Sequence, residues 1–280
     1  MYWLCKTIRP FILLLVCAAP GIAATWTTID YPGADSTQAL GINNNGDIVG
    51  LYTLGGQTHG FLYKAGTFSS IDVPGAIQTV AQGINDSGLI VGFYSVPFRD
   101  GVGFLFDGTT FTDIAKGGYV VTIANGIDNA GDIVGYYGNG GSNPDYHGFK
   151  WTNGTFHTLE VGFVGETIVT GINNHGYVTG YDPWSFDSFV RKPDGTIQTV
   201  PFSNPCCGLI EGLNDGQAVV GGYVSPSYTG FRVNGVTLKL IPLKFPGALY
   251  TFAHGINNAG DTVGSYAMNG IQQHGFLETR

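Results

Sequence analysis

Charge is scarce in this sequence. Asp, Glu, Lys and Arg make up 11% of the 280 residues, against about a quarter in an ordinary soluble domain. The basic share is the smaller one, 12 Lys and Arg against 20 Asp and Glu. A phosphate backbone requires a basic stripe, which scattered cations do not make, so nucleic acid is excluded as a partner. Cysteine is equally sparse, four in all, with no Cys-x-x-Cys and no zinc-ligand spacing. Helical periodicity is missing beyond the N-terminal stretch, since no window holds apolar residues at a 3.6 spacing free of Gly and Pro. No Gly-x-Ser-x-Gly elbow, His-Glu-x-x-His or phosphate-binding glycine loop occurs, which removes the easily recognised hydrolases and nucleotide enzymes.

What the chain has instead is a repeat. Gly41-Ile42-Asn43-Asn44-Asn45-Gly46-Asp47-Ile48-Val49-Gly50 returns with small changes from Gly83, Gly126, Gly171, Gly212 and Gly255, at spacings of 42, 43, 45, 41 and 43 residues. Each unit reads as four short strands, A to D, bounded by turns in which Asn and Gly reach positive φ and Asn or Asp side chains bond their own backbone. Lys64-Ala65-Gly66-Thr67, Asp107-Gly108-Thr109, Thr152-Asn153-Gly154-Thr155, Pro193-Asp194-Gly195-Thr196 and Asn234-Gly235 mark the same C-to-D hairpin five times. A period near 43 in an all-β pattern is that of a propeller blade. The last unit stops after strand C, and Trp26 to Ala34 matches the strand D and Pro-Gly-Ala turn of Phe68 to Ala76. The expected fold is therefore all-β, a six-bladed β-propeller of four-stranded blades, closed by the N-terminal strand completing the last blade. An open solenoid is the competing reading, but its ends are normally distinct polar caps.

Residues 1–24 hold Lys6 and Arg9, the apolar run Phe11 to Ala19, and small residues up to Ala24, the pattern of a secretory signal peptide. The run is too short for a membrane span and no second one follows. A lipid anchor at Cys17 is disfavoured by Val16, where a small residue is expected. The mature chain, residues 25–280, is expected to be one exported, monomeric propeller domain, periplasmic or extracellular. It keeps 10 basic and 20 acidic residues, a net charge of −10, and its about 255 residues suffice for a core without staples. Cys206 and Cys207 remain, adjacent in a D-to-A loop, as two thiols, a strained bridge between neighbours, or a redox-sensitive or ligand-contacting loop.

The Gly-Ile-Asn-Asn-x-Gly-x-Ile-Val-Gly motif, the His-Gly-Phe that follows it and the Ile-Asp-x-Pro-Gly-Ala turn together resemble the HAF-repeat family of extracellular bacterial proteins, across essentially the whole mature chain. That family's His-Ala-Phe triplet stands here as His59-Gly60-Phe61, His147-Gly148-Phe149 and His274-Gly275-Phe276. The histidine is lost at Val102, Asp187 and Thr229. The resemblance implies export and a repeat fold, and it carries over no chemistry.

Repeats of one blade position are spread around a ring, too far apart for three triplet histidines to share a metal, so structural roles are expected for them. Asn43-x-Asn45-Gly46-Asp47 superficially resembles a calcium loop but lacks its sixth-position glycine and terminal glutamate, and Asx turns explain it. No cofactor is implied beyond that weak calcium match. The D-to-A and B-to-C loops, which share one face, are unlike one another, and variation confined to one face suits a binding surface. On it, Trp184, Phe98, Tyr146, Tyr228 and Tyr250 are candidate stacking platforms. The position just before each Gly-Ile-Asn or its equivalent holds Leu40, Gln82, Asn125, Thr170, Glu211 and His254, mostly polar and different each time. Either these groups satisfy one another and channel water, or Glu211 and His254 form an acid-base pair. The expected function is a secreted binding module for a carbohydrate or protein ligand, using the variable-loop face with Gln82, Asn125, Glu211, His254, Trp184, Tyr228 and Tyr250. The alternative is a hydrolase or lyase acting on extracellular polysaccharide or glycoside at the central channel, with Glu211 and His254 catalytic.

Overall fold

The computed structural model describes residues 24–141, 145–161, 166–200, 208–224, 228–234, 239–270 and 272–280. The signal segment and the Cys206-Cys207 pair lie outside them. The described chain is all β, with strands that follow the sequence repeat. β1 is Thr25–Ile29, and β2 to β5 are Ser36–Ile42, Ile48–Leu54, Gln57–Lys64 and Thr67–Ile71. β6 to β9 are Gln78–Ile84, Ile90–Val96, Arg99–Phe106 and Phe111–Ile114, and β10 to β13 are Val121–Ile127, Ile133–Gly138, His147–Thr152 and Thr155–Leu159. β14 to β17 are Ile168–Ile172, Val178–Tyr181, Ser188–Arg191 and Ile197–Thr199, and β18 to β21 are Gly208–Leu213, Val219–Val224, Tyr228–Val233 and Leu240–Leu243. β22 to β24 are Tyr250–Ile256, Thr262–Ala267 and His274–Thr279. No helix among the described residues is long and apolar enough to cross a membrane.

Four of the sheets have four strands each, and the fifth has eight, β2 to β9. Within it the two repeats are joined by one parallel bridge, Thr58 to Gln78, so pairing is otherwise confined to each repeat. The N-terminal strand β1 pairs antiparallel with β24 over its whole length, from Thr25↔Thr279 to Ile29↔Gly275.

The recurring letters of the repeat each have a local job. Asn43 Oδ1 accepts the N–H groups of Asn45 and Asp47 at 3.0 and 2.9 Å, and Gly46 turns at φ +81°. The oxygen that would ligate calcium is thus committed to an Asx turn, as it is at Asn85, Asp128, Asn173 and Asn257. The phenylalanine of the triplet fills the core in every repeat. Phe61, Phe104, Phe149, Phe189, Phe231 and Phe276 are each at most 1% exposed, a burial that contributes about 2–3 kcal/mol per ring. Each lies across from the glycine that ends the motif, as in Gly50↔Phe61. A Cβ on Gly50 would fall 2.8 Å from that ring and 2.0 Å from the carbonyl oxygen of Gln38, so only glycine lets the strand pass under the aromatic core.

Candidate functional site

The varied position before each Gly-Ile is set apart by the backbone. In each first strand the register shifts once, between Ala39 and Gly41, Ala81 and Gly83, Ala124 and Gly126, Val169 and Gly171, Ile210 and Gly212, and Ala253 and Gly255. The residue skipped is Leu40, Gln82, Asn125, Thr170, Glu211 or His254. A β-bulge leaves one residue unpaired and re-aims its side chain, which frees this position from packing and lets it differ between repeats. Five of the six, all but Leu40, line one cavity of about 90 Å³ together with the Gly-Ile pairs of five repeats and Gly212-Leu213 of the other. Asn125 and Thr170 are used structurally there. Asn125 donates to the Val169 carbonyl at 2.6 Å, and Thr170 to the Ile210 carbonyl at 2.9 Å.

Glu211 and His254 also line a second, larger space of about 600 Å³, with Gln38, Tyr250, Phe252, Ser265, Gly270 and Gln273. Glu211 is half-buried, its accessible part facing this space rather than bulk solvent. Burial pushes its carboxyl up to about 7, because no nearby charge or donor repays the lost hydration. His254, opposite in sign, is pushed down to about 4 by the same cause, and its Nε2 lies 3.2 Å from Ser265 Oγ. The two therefore line one space as a neutral imidazole and a carboxyl near its midpoint at pH 7, without an ion pair between them. Tyr136 and Tyr181 are close enough to sense Glu211. Burial first, and then neighbouring charge including that carboxylate, raises Tyr136 to about 12 and Tyr181 as well. Gly222 adds room, since a Cβ there would fall 2.3 Å from the Phe252 ring.

Other candidates lie apart. Trp184 is 61% exposed and Phe98 fully so, each on its own loop. Tyr228 opens β20, where its backbone pairs with Val224. Tyr250 stands at the edge of the Glu211 cavity. The triplet histidines are held by acids at the end of their sheet's outermost strand: His59 to Asp72 at 2.8 Å, His147 to Glu160 at 2.9 Å and His274 to Asp30 at 2.8 Å. Where the histidine is lost the acid is lost too, to Ala115, Pro201 and Lys244. That covariation between repeats is a signal the sequence alone carries. The residue after each motif glycine is another, since Leu51, Phe93, Tyr136, Tyr181, Gly222 and Ser265 vary between repeats, and among them Ser265 lines the cavity while Tyr136 and Tyr181 sense Glu211. Among the described residues no group of three or more His, Cys, Asp or Glu converges as metal ligands.

No protein-family model matches the sequence, and no curated protein matches it either. Solved structures do. Virginiamycin B lyase from Staphylococcus aureus is similar over 92% of this chain and 99% of its own, at 11% identity and a TM-score of 0.51. The calcium-binding protein regucalcin from Agrobacterium tumefaciens covers 90% and 93%, at 14% identity and 0.56. A gluconolactonase from Xanthomonas campestris covers 91% and 89%, at 12% identity and 0.52. At such identities the likeness is one of fold, and it makes this chain β-propeller-like. The expectation of a binding module working through its variable loops is corrected at this point. The proteins of this shape include a lyase and a gluconolactonase, and the polar groups at the bulges share one cavity, while the loop aromatics Trp184 and Phe98 stand singly.

Proposed function

We propose that the chain is a hydrolase or lyase acting on a polysaccharide or glycoside, with its site in the cavity that Glu211 and His254 share. The observation that carries this reading is the Glu211 carboxyl, which lines a space of about 600 Å³ with no bonded partner among the described residues and is pushed up to about 7 by burial. A general acid or base works best with its midpoint near the operating pH, and carboxyls shifted in this way cluster at sites that transfer protons. Neutral His254, bonded to Ser265, supplies a second group for the opposite transfer. A space of about 600 Å³ is of the size that takes a small ligand, here one or two sugar units.

The architecture in this reading is a closed, six-bladed propeller. Its support is a hydrogen-bonded circuit at the turns: Asn44 to Asp86, Asp86 to Asn129, Asn129 to Asn174, Asn174 to Asp215, Asp215 to Asn258, and Asn258 back to Asn44, each a backbone N–H to the next side-chain oxygen at 2.8 to 2.9 Å. The pairing of β1 with β24 supplies the last blade's outer strand. The secretory pattern of residues 1–24 supports a substrate outside the cytoplasm.

The test is incubation of the mature protein with a panel of soluble and insoluble polysaccharides, scoring new chain ends. Turnover is expected on at least one, with kcat/KM titrating near pH 7, and Glu211→Gln should lower it by about 10²–10⁴-fold while the thermal transition is kept. No new ends on any polymer, or full turnover in Glu211→Gln, refutes the reading.

A further inference from the structure

Around Glu211 two acceptors stand without a donor. Gln273 Oε1 is buried at the same cavity with no hydrogen-bond partner, and no donor from a described residue reaches the Glu211 carboxylate. Among the described residues neither Lys nor Arg lines either space. Gln38, Tyr250 and Ser265 line the same space, and the Phe252 and His254 rings stand 5.0 Å apart beside them. Two acceptors that no described residue reaches, beside ring faces and with no Lys or Arg among the described lining residues, suit a ligand group that donates and carries positive charge. An ammonium is such a group, with three N–H donors and no acceptor, and ring faces attract it. A uronic acid, by contrast, would bring a second carboxylate beside Glu211 with nothing to neutralise either.

We propose that the substrate carries an ammonium group next to its reacting part, an amino sugar in its free-amine form, seated with the nitrogen toward Glu211 and Gln273. This rests on the enzyme reading for the place of the site, and it names the substrate class. With the ammonium in place, the opposite charge favours the ionised carboxyl, so Glu211 enters the reaction as a base.

Equilibrium binding at pH 7 separates this from the enzyme reading, because it needs no turnover. A β-1,4-linked glucosamine tetramer is compared with its fully N-acetylated counterpart, a glucose tetramer and a galacturonate tetramer, on the mature protein and on Glu211→Gln. The free amine is expected to bind at least tenfold tighter than the other three, and Glu211→Gln is expected to erase that preference. Choline, whose charge is fixed, gives a second readout on the unaltered protein. Its affinity should rise about tenfold between pH 6 and pH 8 as the carboxyl ionises from about a tenth to about nine-tenths. Equal or tighter binding of an uncharged or acidic tetramer, a preference that survives in Glu211→Gln, a flat choline profile, or no binding by any probe overturns the proposal. Amine-selective binding without cleavage would instead sink the enzyme reading and leave the ligand class standing.

Discussion

Replacing Asp128 with Asn should make this protein more stable, and the gain should grow with pH. At the equivalent turn position the other repeats carry Asn, whose Nδ2 donates to the backbone oxygen of the next repeat: Asn43 to Asn85 and Asn85 to Asp128 at 3.0 Å, Asn173 to Asn214 at 3.0 Å, Asn214 to Asn257 at 2.9 Å and Asn257 to Asn43 at 3.3 Å. Asp128 has no such donor when ionised, so the bond that would reach Asn173 is the missing link. Its side chain is also nearly enclosed, at 6% exposure. Burial, and after it the Asp132 charge, raises its carboxyl above the usual range against the backbone N–H bonds it accepts. A carboxyl whose folded pKa lies above its unfolded value favours folding most when protonated. Its contribution is therefore complete below the unfolded value near 4 and declines as pH rises through the folded one. Asn keeps the Oδ1 bonds to Ala130 and Asp132, restores the inter-repeat bond, and removes the buried charge. One such bond contributes about 1 kcal/mol, and leaving a charged group incompletely bonded costs about as much again. The expected gain is about 2 kcal/mol at pH 8, or about 4–8 °C in Tm for a domain of this size, and less at pH 4. Thermal unfolding of both proteins at the two pH values measures it. An unchanged or lowered Tm at pH 8, or an equal gain at both pH values, refutes the reasoning.

Gly222→Ala should damage the cavity more than the fold: its Cβ would meet the Phe252 ring at 2.3 Å and push it into the space beside Glu211. Unfolding in urea should show an overpacking loss of about 1–3 kcal/mol, with a KM raised by about tenfold on whichever polymer is cleaved; an unchanged KM would place Phe252 outside the site. The His59–Asp72 pair is a surface tie, with side chains 25% and 44% exposed. A double-mutant cycle at pH 6 should give a coupling below about 1 kcal/mol, and a coupling of several kcal/mol would mean the triplet histidine does more than join two strands.

The repeating unit is legible in the sequence because its causes are local. Asn43 closes its own turn, Gly50 makes room for Phe61 eleven residues later, and both signals recur in every repeat. Strand number, turn positions and the complementarity of Trp26–Ala34 with the last unit follow from that alone. The varied position carrying Glu211 and His254 is also visible there, because its neighbours are nearly invariant. Its meaning is not, since alternation along a strand says which face a residue takes and not that a bulge removes it from pairing. The wall that makes Glu211 unusual is assembled from Gln38, Tyr136, Phe252 and Gln273, far apart in sequence. A carboxyl's proton affinity depends on the solvent and donors around it, and these are set only when distant repeats are packed together. The unit and its repetition follow from the sequence, while the packing of distant repeats sets which polar side chain is partly buried with no described partner.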